Sequence, residues 1–362
     1  MNYHKLFFQL RPLFCLVFLV LPLSCSSSDP DEEDDTKLSD LTVDVEIVGS
    51  SESNPDGDGS GKIRVSFSAN NARLYKVSFG NGDVLETSSN SLSYTYVGSG
   101  TNTYQLYVSA YRGSEFISEE KSVTIYVTPS MTFSEEFNYS GAPNTSKWTY
   151  DLGRGDGGWG NNESQFYTNR PENVVVENGI LKITAKKENY EGAAYTSARI
   201  KTQGKFNFRY GKVEVRAKLP QGGGTWPAIW MLGSNITSVG WPASGEIDIM
   251  GHVGNNPNTI ISAIHTPSSH GNTQNKATTA VPGATTEFHV YGLEWTPDKL
   301  VFSVDGDVHY TYNPAEKNAS TWPFDSNQFL ILNVAVGGTL GGAIDPDFVS
   351  GTMEVDYVRV YQ

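Results

Sequence analysis

The sequence predicts an all-β protein composed of two successive sandwiches. Segments in which apolar and polar residues alternate recur along the chain, and this alternation is typical of half-buried strands. Glycine contributes 36 residues, and Ser, Thr, Asn and Tyr are plentiful, as expected for strands joined by many turns. Beyond residue 25 there are no Ala- or Leu-rich helical stretches. Apolar residues make up 38% of the 362 residues, which is enough for a core and excludes wholesale disorder.

Charge and cysteine content exclude two classes of function. The chain has 26 Lys and Arg against 40 Asp and Glu, a net charge of −14, so it lacks the basic surface that a nucleic-acid binder needs. Its two cysteines, Cys15 and Cys25, both lie in the first 25 residues. The mature domains therefore contain no disulfide and no metal site with cysteine ligands.

The first 25 residues have the pattern of an export signal. Lys5 and Arg11 precede an apolar run that is shorter than the roughly 20 residues of a membrane-spanning helix and fits a signal-peptide core. The sequence Leu-Pro-Leu-Ser-Cys at residues 21–25 resembles the lipobox of bacterial lipoproteins, which implies that Cys25 is acylated and becomes the first residue after cleavage. The alternative is an ordinary secretory signal in which Cys25 is incidental.

Residues 26–37 are predicted to be a solvated acidic tether. Acidic stretches directly after a lipidated Cys also resemble signals for surface display on Gram-negative outer membranes. We therefore expect an outer-membrane lipoprotein that faces outside and contacts the membrane only through the lipid on Cys25.

Residues 38–128 are predicted to form a small sandwich. Alternating segments begin near residues 41, 62, 74, 92, 104 and 121, with Gly, Asn and Ser between them. The sequence Tyr-Lys-Val-Ser-Phe-Gly-Asn-Gly at 75–82, together with the tyrosines that follow it, resembles the polycystic-kidney-disease (PKD) type of immunoglobulin-like domain. Such domains are often spacers.

Residues 131–362 are predicted to form one larger β-sandwich or jelly roll. Alternation is clear over residues 180–186, 212–218, 300–304 and 353–361. About 230 residues of closely spaced strands favour a single large domain. A sheet of that size can curve and bind an extended ligand on its concave face.

One strand in this region carries two acids on one face. In Gly-Glu-Ile-Asp-Ile-Met at residues 245–250, simple pleating places Glu246, Asp248 and Met250 on one face and Ile247 and Ile249 on the other. Alone, this pattern indicates only a strand with a wet face and a dry face.

Aromatic and amide residues near this strand favour a sugar site. Rings cover the apolar faces of pyranose units, and polar groups bind the hydroxyls. For each tryptophan singly, core packing is the more common role. The residues concerned are Trp159, Asn162, Glu163, Trp226, Trp230 and Trp241.

These motifs resemble those of glycoside hydrolase family 16. The resemblance extends to Tyr-Gly-Lys-Val-Glu-Val-Arg-Ala-Lys-Leu-Pro at 210–220 and to Asp-Tyr-Val-Arg-Val-Tyr at 356–361. The laminarinase-like branch, which acts on β-1,3- or mixed-linkage β-glucans, is the most similar, and the resemblance covers nearly all of residues 131–362. It implies a curved, lectin-like β-jelly roll with the substrate cleft on its concave face.

The family motif Glu-x-Asp-x-x-Glu implies retaining chemistry, in which one carboxylate is the nucleophile and the other is the acid/base. The resemblance makes Glu246 the nucleophile and Asp248 an auxiliary acid. The second glutamate would fall at position 251 and would need a β-bulge to face the cleft. This sequence has Gly251 there, so we expect strongly reduced hydrolysis. His252 and His265 are candidate substitutes, although a structural or sugar-contacting role fits either one better.

The resemblance implies further site residues. Asn162 and Glu163 match polar cleft positions. Arg216 either binds a sugar hydroxyl or pairs with a carboxylate, and Asn333 is either a ligand contact or a satisfied core amide. No cofactor is expected for catalysis, but one structural Ca²⁺ is implied. Its matching positions are Glu136, Gly179 and Asp356.

Three functions remain in competition at this stage. The chain is a surface endo-β-glucanase with impaired activity, an inactive protein that binds β-glucan, or a structural protein without a glycan. The net charge of −14 favours a neutral glycan as partner. We expect a monomer.

Overall fold

The computed structural model describes residues 37–362 of the chain. The predicted signal peptide, Cys25 and the tether up to residue 36 lie outside the described residues, so those assignments stay predictions. Within the described part, no helix has both the length and the apolar character to cross a membrane.

Residues 39–127 form two antiparallel sheets around a hydrophobic cluster of their own. β1, β2 and β5 form one sheet, and β4, β3, β6 and β7 form the other, in that order across the sheet; the strands are β1 (Ser39–Ile47), β2 (Lys62–Asn70), β3 (Leu74–Ser78), β4 (Val84–Thr87), β5 (Ser91–Thr95), β6 (Gly100–Arg112) and β7 (Glu115–Val127). Val65, Val77 and Leu106 pack between the sheets. The sequence analysis did not find β4, an edge strand whose Val84 and Leu85 are both exposed. The assignment of residues 38–128 to the PKD type stays a prediction.

Residues 131–361 form a second, larger pair of sheets. Their strands are β8 (Met131–Glu135), β9 (Thr149–Asp151), β10 (Gln165–Tyr167), β11 (Val174–Glu177), β12 (Ile180–Tyr190), β13 (Ala193–Ser197), β14 (Arg199–Lys201), β15 (Gly211–Lys218), β16 (Thr225–Gly233), β17 (Glu246–His252), β18 (Thr259–His265), β19 (Lys276–Ala280), β20 (His289–Trp295), β21 (Leu300–Val304), β22 (Asp307–Tyr312), β23 (Gln328–Val336) and β24 (Ser350–Tyr361). The short helices are α1 (Ile236–Val239) and α2 (Gly338–Gly341), and Gly158–Asn162 form an irregular turn in which Trp159 and Gly160 have positive φ angles.

The two large sheets enclose a common core. One sheet has ten strands, with the path β10-β13-β12-β24-β15-β20-β21-β22 and with β11 and β8 paired to β12 and β24. The other has seven strands in the order β19-β18-β17-β16-β23-β14-β9. Val213 and Val215 of the ten-stranded sheet share one hydrophobic cluster with Ile229, Met231 and Ile247 of the seven-stranded sheet. The prediction of an all-β protein with a large jelly-roll sandwich is confirmed.

Candidate active site

The two predicted catalytic acids lie on the face of the seven-stranded sheet that points away from the core. Glu246 and Asp248 in β17 are half-buried, whereas Ile247 between them belongs to the core cluster. Residues paired across a ladder share a face of the sheet. Glu246 is opposite His265 of β18, and Asp248 is opposite Trp230 of β16. We call this the site face and define it by Glu246, Asp248, Gly251, Trp230, His265 and Asn333.

A β-bulge interrupts β17 after Asp248. Three residue steps lead from Asp248 to Gly251, but only two steps separate their partners on either neighbouring strand. Ile249 and Met250 consequently both point into the core, where they are buried. This is the bulge that position 251 was expected to need, since it places Gly251 on the same face as the two acids. The placement of Met250 with the acids by simple pleating is wrong for the same reason.

Gly251 leaves room for a side chain. Apart from its chain neighbours, a Cβ atom at this position would approach only the main-chain oxygen of Ile261 at 3.5 Å and the Cβ of Ile261 at 4.0 Å, within the described part of the chain. These are ordinary van der Waals distances, and the φ angle of Gly251 lies outside the left-handed region. Residue 251 can therefore carry a larger side chain on the site face without backbone strain.

Glu246, Asp248 and His265 form a compact charged cluster. His265 Nε2 lies 3.1 Å from Asp248 Oδ2 and 3.9 Å from Glu246 Oε1. Burial and the charge of neighbouring Asp248 raise the pKa of Glu246 well above its usual range. Burial alone would lower the pKa of His265, but its hydrogen bond to Asp248 and the two carboxylates raise that pKa to about 9. The imidazolium is thus the cation that balances the acids.

Two tryptophans, Trp230 and Trp241, lie next to these acids. Trp241 is 46% exposed, and its Nε1 donates a hydrogen bond of 2.8 Å to Glu246 Oε2. The ring centroid of Trp241 is 6.0 Å from that of His265. Trp226 and Trp230 are half-buried on the same face of β16. The structure therefore brings exposed and half-exposed rings next to a carboxylate, as the sequence analysis expected.

Arg199 was missed by the sequence analysis, although it pairs with Asn333 across the sheet and so lies on the same side as the site face. Its guanidinium carbon lies 4.4 Å from the ring centroid of Trp159 and 5.1 Å from that of Trp230, so it sits between the two rings. Asp151 forms an ion pair with Arg199 at 2.7 Å and with Lys201 at 2.5 Å. Arginine between two rings orients both of them, because cation and ring faces attract.

Glu163 lies beneath the site face instead of on it. Its side chain is only 5% exposed, and its oxygens accept hydrogen bonds from Asn161, Gln165 and Tyr167. Tyr167 in turn accepts a hydrogen bond from Asn333, whose Oδ1 accepts one from Trp230 Nε1 at 2.7 Å. Glu163 is therefore a positioning residue that holds Trp230 through a chain of hydrogen bonds. Neighbouring Asn162 is exposed in the irregular turn at Gly158–Asn162.

Removing the Tyr167 hydroxyl tests this chain. Tyr167→Phe is expected to destabilise the fold by about 1–3 kcal/mol, because Asn333 Nδ2 and Glu163 each lose a buried partner. A domain of this size should then melt roughly 2–4 °C lower per kcal/mol. Tyr291→Phe is the matched control, since the buried hydroxyl of Tyr291 has no hydrogen-bond partner among residues 37–362. Equal melting temperatures for the two variants would contradict the proposed role of the chain.

Two predicted sugar contacts are placed elsewhere. Arg216 lies in β15 of the ten-stranded sheet, between core residues Val215 and Ala217, and pairs with Asp356 on the outer side of that sheet. The prediction that Arg216 contacts sugar at this site is wrong. The alternative, that Arg216 pairs with a carboxylate, is confirmed by its ion pair with Asp356. His252 is 0% exposed and points to the core side, because the bulge reverses the alternation after Asp248. Burial lowers the pKa of His252, so it is a neutral structural residue and no substitute for the acid/base.

The calcium prediction involves carboxylates that already have partners. Both oxygens of Glu136 accept hydrogen bonds from Arg359, and Asp356 pairs with Arg216. Gly179 lies in the turn between β11 and β12. In this arrangement the carboxylates of Glu136 and Asp356 each have an arginine as partner. The calcium site stays a prediction, and no chemistry at the site face depends on it.

Comparison with known proteins agrees with this geometry. The model of the glycosyl hydrolases family 16 matches residues 161–359. The β-glucanase of Rhodothermus marinus is 47% identical over 244 residues, which are 64% of this chain and 85% of that protein. The crystal structure of laminarinase from Flavobacterium sp. UMI-01 is similar with a TM-score of 0.61 and 47% identity, covering 64% of this chain and 100% of that chain. The β-1,3-glucan-binding protein of Penaeus monodon is 34% identical over 279 residues, 68% of this chain and 70% of that protein. The chain belongs to the glycosyl hydrolases of family 16.

Proposed function

We propose that this protein recognises β-1,3-glucan or mixed-linkage β-glucan on the site face and attacks it with Glu246, at a rate limited by the missing proton donor at Gly251. The observation that carries the proposal is the direct contact of Trp241 with Glu246, which joins a ring suited to a pyranose with a carboxylate suited to its anomeric carbon. The β-glucanase and laminarinase relatives support a glucan as substrate.

The surroundings of Glu246 act on its ionisation in opposite directions. Burial, and then the charge of Asp248, raise the pKa of Glu246, whereas His265 and the hydrogen bond from Trp241 favour the ionised carboxylate that a nucleophile needs. In a retaining enzyme the nucleophile must be ionised while another group holds a proton. His265 is bonded to Asp248 beside Glu246, and not at the position of Gly251, so it does not replace a donor there.

The second candidate function is glucan binding without hydrolysis. Gly251 favours it, and so does the similarity to a β-1,3-glucan-binding protein. Reducing ends released from laminarin separate the two: slow release that depends on Glu246 supports the enzyme, and retention without any release supports the binding protein. Absence of both laminarin retention and reducing-end release would contradict both functions.

Glucan binding is expected to depend on Trp241. Trp241→Ala should weaken retention of the protein in laminarin affinity gels by about fivefold to 150-fold, because stacking of an exposed ring contributes roughly 1–3 kcal/mol in recognition. Tyr357→Ala is the control, since Tyr357 lies on the outer side of the ten-stranded sheet next to Arg359. Loss of retention in both variants, or in neither, would count against the site face as the binding surface.

We further propose that the protein is a monomeric outer-membrane lipoprotein anchored at Cys25, with residues 38–128 as a PKD-like spacer. The lipobox-like segment and the acidic tether support this. Incorporation of labelled palmitate that is lost in Cys25→Ser is the expected result, and labelling that survives this change would contradict the anchor.

A further inference from the structure

Gly251 affects both halves of a retaining reaction. The bulge places it on the site face next to Asp248, and its partners across the sheet are Ala228 and Ile261. A Cβ at residue 251 would meet only Ile261 among the described residues outside its chain neighbours. The site face therefore has space for a larger side chain at this point, a hollow whose neighbours across the sheet are uncharged, and the nucleophile Glu246 is retained on the same strand.

In the first half of the reaction, the missing proton donor restricts which leaving groups can depart. Attack by the Glu246 carboxylate breaks the glycosidic bond, and a sugar leaving group would have to depart as an alkoxide without a proton. A leaving group that is a stable anion, such as a nitrophenolate, needs no proton. Glycosylation of Glu246 by such a donor is consequently not limited by the absent acid.

In the second half of the reaction, the missing base restricts which acceptors react readily. In a retaining enzyme the acid/base residue also removes a proton from the attacking water. Without that base, water reacts slowly with the glycosyl ester of Glu246. A thiolate carries no proton to remove, so it reacts without the base and has the advantage over water.

The hollow at Gly251 also admits an anionic acceptor. Asp248 is the acid of β17 that is closest in sequence to Gly251, but it is hydrogen-bonded to His265 at 3.1 Å, and the imidazolium offsets its charge. The residues that face Gly251 across the sheet, Ala228 and Ile261, are uncharged and present no like charge. A small thiolate can therefore approach from this side.

We propose that the protein has a further activity: it transfers a β-glucosyl group from donors with an anionic leaving group to thiolate acceptors, forming S-glycosides. This rests on the proposed function, because Glu246 must be the nucleophile. In the transfer step the thiolate sulfur forms a bond to the anomeric carbon, and the bond between that carbon and the Glu246 oxygen breaks. The electron pair returns to Glu246 as its carboxylate. Two displacements retain the β configuration, and no oxidant or reductant takes part.

The experiment uses the mature chain with 2,4-dinitrophenyl β-laminaribioside as donor and dithiothreitol as thiol. We expect a burst of dinitrophenolate, followed by steady release that rises about tenfold or more as thiol is added, since the thiolate bypasses a base step. Mass spectrometry should show the β-S-glycoside. Gly251→Glu should divert the glycosyl group to water and lower the S-glycoside fraction, whereas Glu246→Gln should give neither burst nor product.

The outcomes separate the two proposals. A burst that depends on Glu246, with no acceleration by thiol and no S-glycoside, overturns the transfer activity and leaves the proposed nucleophile in place. Absence of the burst in a folded protein overturns the nucleophile and, with it, the transfer. S-glycoside that forms equally in Glu246→Gln arises without the site face and also overturns the transfer activity.

Discussion

Gly251→Glu is expected to raise laminarin hydrolysis by about 10²–10⁴-fold, the usual contribution of a general acid/base. The bulge already turns residue 251 to the face that carries Glu246 and Asp248. A Cβ there makes only ordinary contacts with Ile261, and the backbone angle suits any L-residue, so the backbone accommodates the glutamate without strain. Release of reducing ends from laminarin, with kcat and KM determined separately, measures the gain.

The reason for the gain identifies its control. Gly251→Gln has almost the same shape as Gly251→Glu, but its amide neither supplies an acidic proton nor accepts one from water. It should therefore leave hydrolysis of laminarin near the rate of the unchanged protein. If glutamine produces the same gain, the effect comes from filling the hollow. If glutamate produces none while the protein stays folded and binds laminarin, residue 251 is not the acid/base position.

Glu246→Gln in the Gly251→Glu background is expected to lower hydrolysis by about 10⁴-fold or more, the scale on which removing a nucleophile acts in a catalytic unit. Glutamine keeps an oxygen that can accept the hydrogen bond from Trp241 Nε1, so the geometry of the site face is retained. The loss should appear in kcat and not in laminarin retention, because the tryptophans are unchanged. The measurement compares kcat and laminarin retention across the four variants of the double-mutant cycle.

Stability provides the control for this second prediction. A carboxyl whose pKa is raised in the folded state costs stability as the pH rises above its usual pKa, since the native state then holds the unfavourable charge. Glu246→Gln removes that charge, so its melting temperature at neutral pH should equal or exceed that of its parent. Glu214→Gln, on the outer side of the ten-stranded sheet, should leave activity unchanged. Residual activity near that of the parent in Glu246→Gln would show that another group is the nucleophile.

Local alternation accounts for what could be predicted about the strands. Glu246 and Asp248 share a face with Ile247 opposite them, as the spacing of two residues requires. The strands over residues 180–186, 212–218, 300–304 and 353–361 are present for the same reason. Short edge strand β4 was missed, because its apolar residues are exposed and its alternation is weak.

Alternation does not predict the face of a side chain where the strand ladder is irregular. It also does not show to which of two sheets a strand belongs. The bulge after Asp248 reverses the faces of Met250 and His252, and the pairing with β16 and β18 creates that bulge. Arg216 alternates correctly in β15, but period 2 does not tell to which sheet a strand belongs. The placement of His252 and Arg216 at the sugar site was wrong for these two reasons.

Residue identity and the period of a strand are enough to predict the all-β class, the alternating faces of Glu246, Ile247 and Asp248 in β17, and the lack of a carboxyl side chain at Gly251. The packing of the sandwich sets the contacts of Arg199 with Trp159 and Trp230, the link from Glu163 through Tyr167 to Asn333, and the hydrogen bond between His265 and Asp248. These contacts join residues far apart in the chain. Strand order and register create them, and both depend on the packing of the whole sandwich.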